Sequence, residues 1–216
     1  MSIKEKIAQL KSQLPASVTL VAVSKFKSEK DILEAYEAGQ RDFGENYVQE
    51  LVEKAEALPK DIRWHFIGHL QSNKVKYIAP FVHLIHSVDS LKLLKEINKQ
   101  GVNNSRKISC LLQIHIALED TKSGMTSQEF LEVISSKELI ALPNVDVIGL
   151  MGMSTFTDDL NLVKSEFKSL ATILQEGQKI QPNLTELSMG MSGDFQTAIA
   201  EGSTMVRIGS TIFGSR

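Results

Sequence analysis

A lysine directly follows the first run of β-branched residues in the sequence, where a strand is expected to end. The run Val21-Ala22-Val23-Ser24 leads straight into Lys25. Apolar surroundings disfavour the charged form of an amine, and a neutral amine can attack a carbonyl carbon to form a Schiff base. The alternative is a solvated lysine that only ends a strand. Lys25 is therefore the first candidate for covalent chemistry.

Small and hydroxylated residues follow the last two apolar runs. Ser192 follows the seventh run. The eighth run carries Arg207 and ends at Gly209, and Ser210 and Thr211 follow it. Backbone amides and hydroxyls of this kind can hold a phosphate, although ordinary turn chemistry would use the same residues. Neither the dinucleotide pattern G-x-G-x-x-G nor a P-loop occurs. Because the pattern appears at both strand exits, we expect a phosphate site.

The remaining polar candidates carry weaker signals. Asn46 follows the second apolar run, where it could contact a ligand or cap the next helix. His65 follows the only tryptophan in a predicted strand, so it could face a ligand. His83, His86 and His115 are expected to be surface or packing residues. No cysteine ligand, HExxH pattern or carboxylate cluster accompanies the histidines, so no metal site is expected. No catalytic triad is expected either.

Eight apolar runs, which lack strict polar alternation, alternate with segments of helical periodicity. Such runs are typical of strands that are covered on both faces of a parallel sheet. Eight units in 216 residues leave about 27 residues for a strand, a helix and two loops. The runs are Val18–Ser24, Arg41–Gly44, Trp64–Gly68, His83–Val88, Ile108–Ile116, Val145–Met153, Glu186–Met191 and Met205–Gly209.

The segments between the runs carry helix signals. Ser28 with Asp31 and Thr126 with Glu129 are spaced as capping boxes, and Gly39 can end the first of these helices. Eight βα units and an extra helix over residues 2–13 favour a compact (β/α)8 barrel. A doubly wound open sheet is the alternative. No linker or low-complexity tract interrupts the chain, so residues 1–216 are expected to form one α/β domain.

Composition excludes several classes of protein. The net charge of −2 argues against a dedicated nucleic-acid binder, which usually carries a basic face. No apolar stretch is long enough to cross a membrane, and the N-terminus resembles neither a signal peptide nor a transit peptide. The one cysteine, Cys110, cannot form an internal disulfide, which favours a reducing compartment. We therefore expect a cytoplasmic protein without nucleic-acid or membrane partners.

Six segments of this chain resemble the pyridoxal phosphate homeostasis proteins, also known as the YggS-type or proline synthase co-transcribed family. In order they read VAVSK, FGENYVQE, WHFIGHLQSNK, GLMGM, SMGMSGDF and VRIGSTIFG. They run from about Val18 to Gly214, which is nearly the whole chain. The resemblance implies a TIM barrel of the alanine racemase N-terminal-domain type. It also implies pyridoxal 5′-phosphate (PLP) as cofactor.

The resemblance further implies how side chains would hold this cofactor. Lys25 would form the internal aldimine, and Arg207 would face the pyridine nitrogen. The other contacts would come from Ser192, Gly209, Ser210 and Thr211 at the phosphate, and from Asn46 and His65 in the pocket. One departure concerns the exit of the fifth strand, where many members read N-I-S or N-I-A. This chain reads Gln113-Ile114-His115-Ile116-Ala117, which leaves the role of His115 open.

The implied chemistry favours a cofactor-binding regulator over an enzyme. A cationic arginine opposite the pyridine nitrogen disfavours its protonation and weakens the cofactor as an electron sink. Racemases with this arrangement need a second acid or base, and in this chain Tyr47 or His65 would have to supply it. We therefore expect a monomer that serves vitamin B6 and amino and keto acid homeostasis, with PLP-dependent apo-enzymes as candidate recipients. A PLP-dependent racemase or lyase is the alternative, and a cofactor-free Schiff-base aldolase ranks third.

Overall fold

Eight parallel strands lie in the part of the chain that the computed structural model describes, residues 1–119 and 122–214. They are β1 (Thr19–Val23), β2 (Asp42–Glu45), β3 (Arg63–Phe66), β4 (Leu84–Val88), β5 (Ile108–Gln113), β6 (Val145–Met151), β7 (Glu186–Ser188) and β8 (Met205–Ile208). Each strand pairs with the next, and β8 pairs back with β1 to close the barrel. Closure excludes the doubly wound sheet and confirms the predicted (β/α)8 fold.

Helices cover the outside of the barrel, with α1 before the first strand, α10 after the last strand and the others between successive strands. They are α1 (Ile3–Gln13), α2 (Glu29–Glu37), α3 (Val48–Ala57), α4 (Val75–Ile78), α5 (Leu91–Asn103), α6 (Ser127–Ser135), α7 (Lys137–Ile140), α8 (Leu160–Gln178), α9 (Phe195–Ala200) and α10 (Ser210–Phe213). A 3₁₀ turn over Ser72–Lys74 precedes α4. None of the helices in the described ranges combines the length and apolar character needed to span a membrane.

The predicted helix ends form as the sequence indicates. At α2 the Ser28 side chain accepts from the Asp31 amide while the Asp31 carboxylate accepts from the Ser28 amide. Thr126 and Glu129 form the same reciprocal pair at α6. Gly39, just past α2, has φ of 83°, a left-handed conformation that glycine adopts without strain. These caps fix where each helix begins and ends relative to its strands.

Alternate strand residues face two different environments. Outward-facing apolar side chains of every strand pack under the helices and form most of the core. Inward-facing Val21, Leu84, Leu111, Met151 and Met205 form a smaller apolar cluster inside the barrel. The interior is therefore only partly filled by apolar groups. Polar side chains occupy the rest, above and below this cluster.

The fifth strand is shorter than predicted. The apolar run continues to Ile116, but the regular strand ends at Gln113. Beyond it Ile114 forms an isolated bridge with Met125, and the Gln113 side chain donates to the Ser123 carbonyl. The chain therefore folds back on itself directly after β5. Hydrophobicity alone cannot separate this local turn from a continuing strand.

Candidate functional site

Lys25 lies at the mouth of the barrel, directly after β1. Lys25 lies two residues after Val23 and four after Val21, which both face inward. Its side chain therefore starts on the same, interior side of the strand. Lys25 is partly buried, and its amine has no hydrogen-bond or ion-pair partner among the described residues. A partly buried amine without a counter-ion is available to an incoming group.

A network of buried polar groups holds the turn that carries Lys25. The Lys54 ammonium donates to the Ser24 carbonyl at 2.8 Å, to Glu45 Oε1 at 2.8 Å and to Glu50 Oε1 at 2.7 Å. The Ser24 hydroxyl donates to the same Glu45 oxygen at 2.6 Å. Burial raises the pKa of Glu45, and the charge of Lys54 opposes that shift. The turn is therefore tied to α3 by a buried ion pair.

The residue after Lys25 has an unusual backbone conformation. Phe26 has φ of 60°, in the left-handed region that costs a non-glycine residue free energy. Its amide donates to Glu50 Oε1 at 2.6 Å, and its ring packs on Tyr47 with centroids 5.1 Å apart. These contacts hold the turn in a conformation that the local sequence disfavours. The turn thereby fixes the direction in which the Lys25 side chain leaves the backbone.

Asn46 lies at the exit of β2 and has an unsatisfied side chain. Its Oδ1 is buried and has no hydrogen-bond partner among the described residues. The N-cap of α3 is Tyr47, whose side chain makes no capping bond, so Asn46 does not serve as a cap. The backbone of Gly68 approaches closely, since a Cβ there would lie 2.1 Å from the Asn46 carbonyl oxygen. An orphaned buried acceptor is typical of a ligand-binding position.

The exits of β7 and β8 bring the predicted anion-binding residues to neighbouring strands. Ser192 and Gly193 lie in the turn before α9, and Gly209, Ser210 and Thr211 lie at the start of α10. The amides of these residues have no hydrogen-bond acceptor within the described ranges, and the Gly209 carbonyl accepts from the amides of Ile212 and Phe213. A Cβ on Gly193 would meet no atom of the described residues within 4 Å, so this turn borders space that those residues leave open. Free amides beside open space can accept an anion.

Arg207 extends from β8 into the barrel and is buried. Its Nη1 donates to Ser188 Oγ at 2.6 Å and its Nη2 to the Gly152 carbonyl at 3.0 Å. Burial lowers the pKa of Arg207 to about 10, against the opposing charge of Asp194. The guanidinium therefore keeps its charge near neutral pH, just below the mouth that Lys25 borders.

His65 lies deeper in the barrel than predicted. It is 1% exposed, and its Nε2 lies 3.1 Å from Asp42 Oδ1 while its Nδ1 lies 2.9 Å from His86 Nε2. The other nitrogen of His86 lies 2.9 Å from Ser188 Oγ. Both of its nitrogens thus have partners inside the barrel, and a place for His65 in the cofactor pocket stays a prediction. His86 is likewise a hydrogen-bonded interior residue and not a surface or packing group.

The sequence gives a usable signal for these missed residues. Four polar side chains occupy inward-facing positions of their strands, and each lies two residues from another inward-facing residue. They belong to Asp42, His65, His86 and Ser188. Polar residues repeated on the inner face of several strands indicate a polar barrel interior. His115 lies outside this group, in the loop after β5, where its Nε2 lies 3.0 Å from the Glu119 carbonyl. Its contact there is with its own loop.

The arrangement suits a particular kind of ligand. Lys25 offers an amine for a carbonyl carbon, Arg207 offers a buried cation below it, and the turns after β7 and β8 offer free amides for an anion. An aromatic aldehyde that carries a phosphate would satisfy all three. The orphaned Asn46 acceptor adds a fourth polar contact at the same end of the barrel.

Comparison with known proteins gives a consistent result. The family model "Alanine racemase, N-terminal domain" matches residues 1–216. A pyridoxal phosphate homeostasis protein from Vibrio alginolyticus is 43% identical over 231 residues, covering 100% of this chain and 98% of the relative. PipY from Synechococcus elongatus PCC7942, solved with PLP bound, matches with a TM-score of 0.89 at 38% identity, covering 99% of this chain and 100% of PipY.

More distant proteins share the fold. An alanine racemase from Clostridium difficile 630 matches with a TM-score of 0.81 at 14% identity. That match covers 100% of this chain and 60% of the racemase. The barrel architecture is therefore common to both groups of proteins, whereas their sequences have diverged widely.

Proposed function

Because this chain belongs to the pyridoxal phosphate homeostasis protein family, we propose that it binds PLP at the mouth of its barrel, in the cytoplasm, as a carrier or buffer of the cofactor. The observation that carries the proposal is the Lys25 amine, which has no partner in residues 1–119 and 122–214. It lies at the same barrel end as a buried guanidinium and as two turns whose amides have no acceptor in those ranges. When bound, PLP supplies an aldehyde that condenses reversibly with an amine and a ring that can accept electrons.

Each proposed contact uses a group that has no partner among the residues the structure describes. The Lys25 amine binds the aldehyde carbon, with loss of one water molecule. The phosphate binds the amides and hydroxyls of the turns after β7 and β8, through Ser192, Gly209, Ser210 and Thr211. Asn46 supplies its orphaned Oδ1 at the pocket wall. His65 makes no direct contact in this proposal.

Arg207 favours binding over turnover. Its charge persists near neutral pH, because the pKa of its buried guanidinium is lowered only to about 10. A cation facing the pyridine nitrogen keeps that nitrogen unprotonated, and an unprotonated ring is a weaker electron sink. A racemase or lyase would also need a proton donor or acceptor at the bound amino acid, and the two nitrogens of His65 already contact His86 and Asp42. The remaining candidate is Tyr47, whose half-exposed ring packs beside the Lys25 turn.

Visible absorption spectra with borohydride trapping test the covalent anchor. The wild-type protein with added PLP is expected to show a visible band that borohydride abolishes, leaving an adduct that peptide mapping assigns to Lys25. Lys25→Ala should show neither band nor adduct. Lys27→Ala is the matched control, since the Lys27 amine is held by the carbonyls of Phe213 and Gly214, and it should behave as wild type. An adduct on another lysine, or none, overturns the proposal.

Two further assays separate a carrier from an enzyme. Incubation of the loaded protein with amino acids in D₂O should give no deuterium at the α-carbon at enzymatic rates, which are typically 1–10³ per second. Exchange at such rates that is lost in Tyr47→Phe would instead establish a racemase or lyase. Reactivation of a PLP-dependent apo-enzyme by the loaded protein, faster than by the same concentration of free PLP, would support delivery. Sedimentation is expected to show a monomer.

A further inference from the structure

A continuous row of buried polar side chains crosses the barrel from one end to the other. It runs from Asp42 through His65, His86 and Ser188 to Arg207, with heavy-atom separations of 3.1, 2.9, 2.9 and 2.6 Å in that order. Each member is less than 8% exposed. The row joins five strands, and only its last member lies near the cofactor site proposed above.

The two chemical ends of the row fix the direction of its first and last bonds. Arg207 can only donate, so Ser188 Oγ accepts from it. Asp42 is ionised: burial alone would raise the pKa of its carboxyl group, but hydrogen bonds from His65 and Arg63 hold it well below its usual range. An ionised carboxylate can only accept, so His65 Nε2 carries a hydrogen.

With both imidazoles neutral, the donor and the acceptor of each interior hydrogen bond follow one after another. Since His65 Nε2 carries the hydrogen, His65 Nδ1 is an acceptor and His86 Nε2 must donate to it. His86 Nδ1 is then an acceptor in turn, and the Ser188 hydroxyl donates to it. Burial lowers the pKa of His86 well below its usual value, which agrees with a neutral ring. Every bond of the row therefore donates toward Asp42, from a guanidinium to a carboxylate.

We propose that His65, His86 and Ser188 are positioning residues, which fix the orientation and charge environment of Arg207 through this directional row anchored on Asp42. The coupling to bound PLP rests on the proposed function, because it requires Arg207 to face the cofactor ring. The existence and the direction of the row do not depend on the proposed function. In consequence, groups at the closed, N-terminal end of the barrel influence a ligand held at its open end.

A cation site is the main competing role for the lower end of the row. Asp42, His65 and His83 offer ligand atoms within 4.8 Å of one another. However, Arg63 donates to both oxygens of the Asp42 carboxylate, and the hydrogen on His65 Nε2 occupies the position that a metal would need. The charge of Arg63 also opposes a cation at this place. The hydrogen-bonded row is therefore the better account of these groups.

Nitrogen NMR of the full chain, labelled with ¹⁵N at histidine, tests the row without reference to activity. Both His65 and His86 are expected as neutral rings that carry hydrogen on Nε2, before and after PLP is added. Hydrogen on Nδ1 of either ring, or a charged His65, would overturn the assigned direction. Zn²⁺ is added to a second sample. Stoichiometric binding that shifts His65 and His83 together would favour the metal site instead.

The coupling to the cofactor site is tested by the spectrum of the PLP-loaded protein. His86→Leu breaks the row and should shift the pH midpoint of the visible band and weaken PLP binding by roughly tenfold, as loss of an outer-shell partner does at metal sites. His86→Gln can still donate and accept, so it should recover most of the wild-type behaviour. The exposed His69→Leu is the control and should change nothing.

The outcomes separate the two proposals. A folded His86→Leu protein with the wild-type band, midpoint and affinity overturns the coupling while leaving PLP binding intact. A wild-type protein without any PLP band overturns the proposed function and with it the coupling. In that event the NMR pattern still decides whether the row exists as assigned.

Discussion

At the scale of single residues, Lys54 illustrates how a buried charge supports the site without touching a ligand. Its side chain is 7% exposed and contacts the Ser24 carbonyl and two carboxylates, one of them the fully buried Glu45. A buried ion pair contributes little net stability compared with an apolar pair, but breaking one leaves a charge without compensation. The pair therefore acts mainly to hold the turn that presents Lys25.

Lys54→Met should destabilise the fold by about 3–5 kcal/mol, because it leaves Glu45 buried without its partner. Urea unfolding at pH 7.5 measures the change. Burial already raises the pKa of Glu45, and the loss of Lys54 raises it further. The folded variant then binds more protons than the unfolded chain above the ordinary Glu pKa, so its stability falls as the pH rises. The penalty should therefore be smaller at pH 5 than at pH 7.5.

Lys60→Met is the matched control for this measurement. Lys60 is exposed and donates only to the carbonyls of Ala55 and Glu56, so its loss should cost about 1 kcal/mol or less, without pH dependence. Equal penalties for the two variants would contradict the assignment of Lys54. The spacing of Glu50 and Lys54 predicts their ion pair on one helix from the sequence. The contact of Lys54 with the buried Glu45 cannot be predicted in this way, because Glu45 lies on a strand.

At the scale of elements, close approach between strands depends on particular glycines. A Cβ on Gly149 of β6 would lie 1.8 Å from the Glu186 carbonyl oxygen of β7, which is far inside van der Waals contact. The Glu186 carbonyl belongs to the backbone of the strand, so it cannot move aside as the end of a flexible side chain could. The pairing of Gly149 with Glu186 is one of three pairs that join these two strands.

Gly149→Ala should therefore destabilise the protein by about 3 kcal/mol or more, since the added methyl group must separate β6 from β7. The change is measured by urea unfolding, with amide hydrogen exchange at Glu186 and Leu187 to locate the loss. Gly193→Ala is the control, because a Cβ there meets nothing within 4 Å. Similar stability for the two variants would show that the strands can adjust at this point.

The elements themselves are well predicted by the sequence, and their ends less so. Apolar β-branched runs locate all eight strands, and the capping boxes at Ser28 and Thr126 locate two helix starts. The end of β5 is missed because Ile114 and Ile116 extend the apolar run into a turn. Its stop is set by the Met125 bridge, which belongs to a returning segment that periodicity does not reveal.

At the scale of the whole molecule, the barrel brings together residues that are distant in the sequence. His86 and Ser188 are 102 positions apart, yet their side chains lie 2.9 Å from each other. Strand order and inward alternation are needed to foresee this contact, and neither follows from a local motif. Lys25 and Arg207 could be selected as candidates because they lie near the ends of their strands. How deep His65 lies inside the barrel could not be predicted, since it depends on strand order and inward alternation.

The buried histidine pair also predicts how stability of the whole fold depends on pH. Burial lowers the pKa of His86 well below its usual value, and the charge of neighbouring Arg207 adds to this shift. In the unfolded chain the group regains an ordinary pKa of about 6.5. Between the folded value and about 6.5, the unfolded state therefore binds one more proton than the folded state. Stability therefore rises with pH through this window and is lost as the pH falls through it.

Urea unfolding between pH 5 and pH 7.5 should show this loss, at up to about 1.4 kcal/mol per pH unit for one such group. His86→Gln cannot take up the proton in either state, so the slope should become shallower by the contribution of one proton. Some slope should persist, since burial also lowers the pKa of His83. His69→Gln, at an exposed position, should keep the wild-type slope. An unchanged slope in His86→Gln would mean that His86 is protonated inside the folded barrel. Its Nδ1 would then donate to Ser188, which reverses the direction assigned to that hydrogen bond.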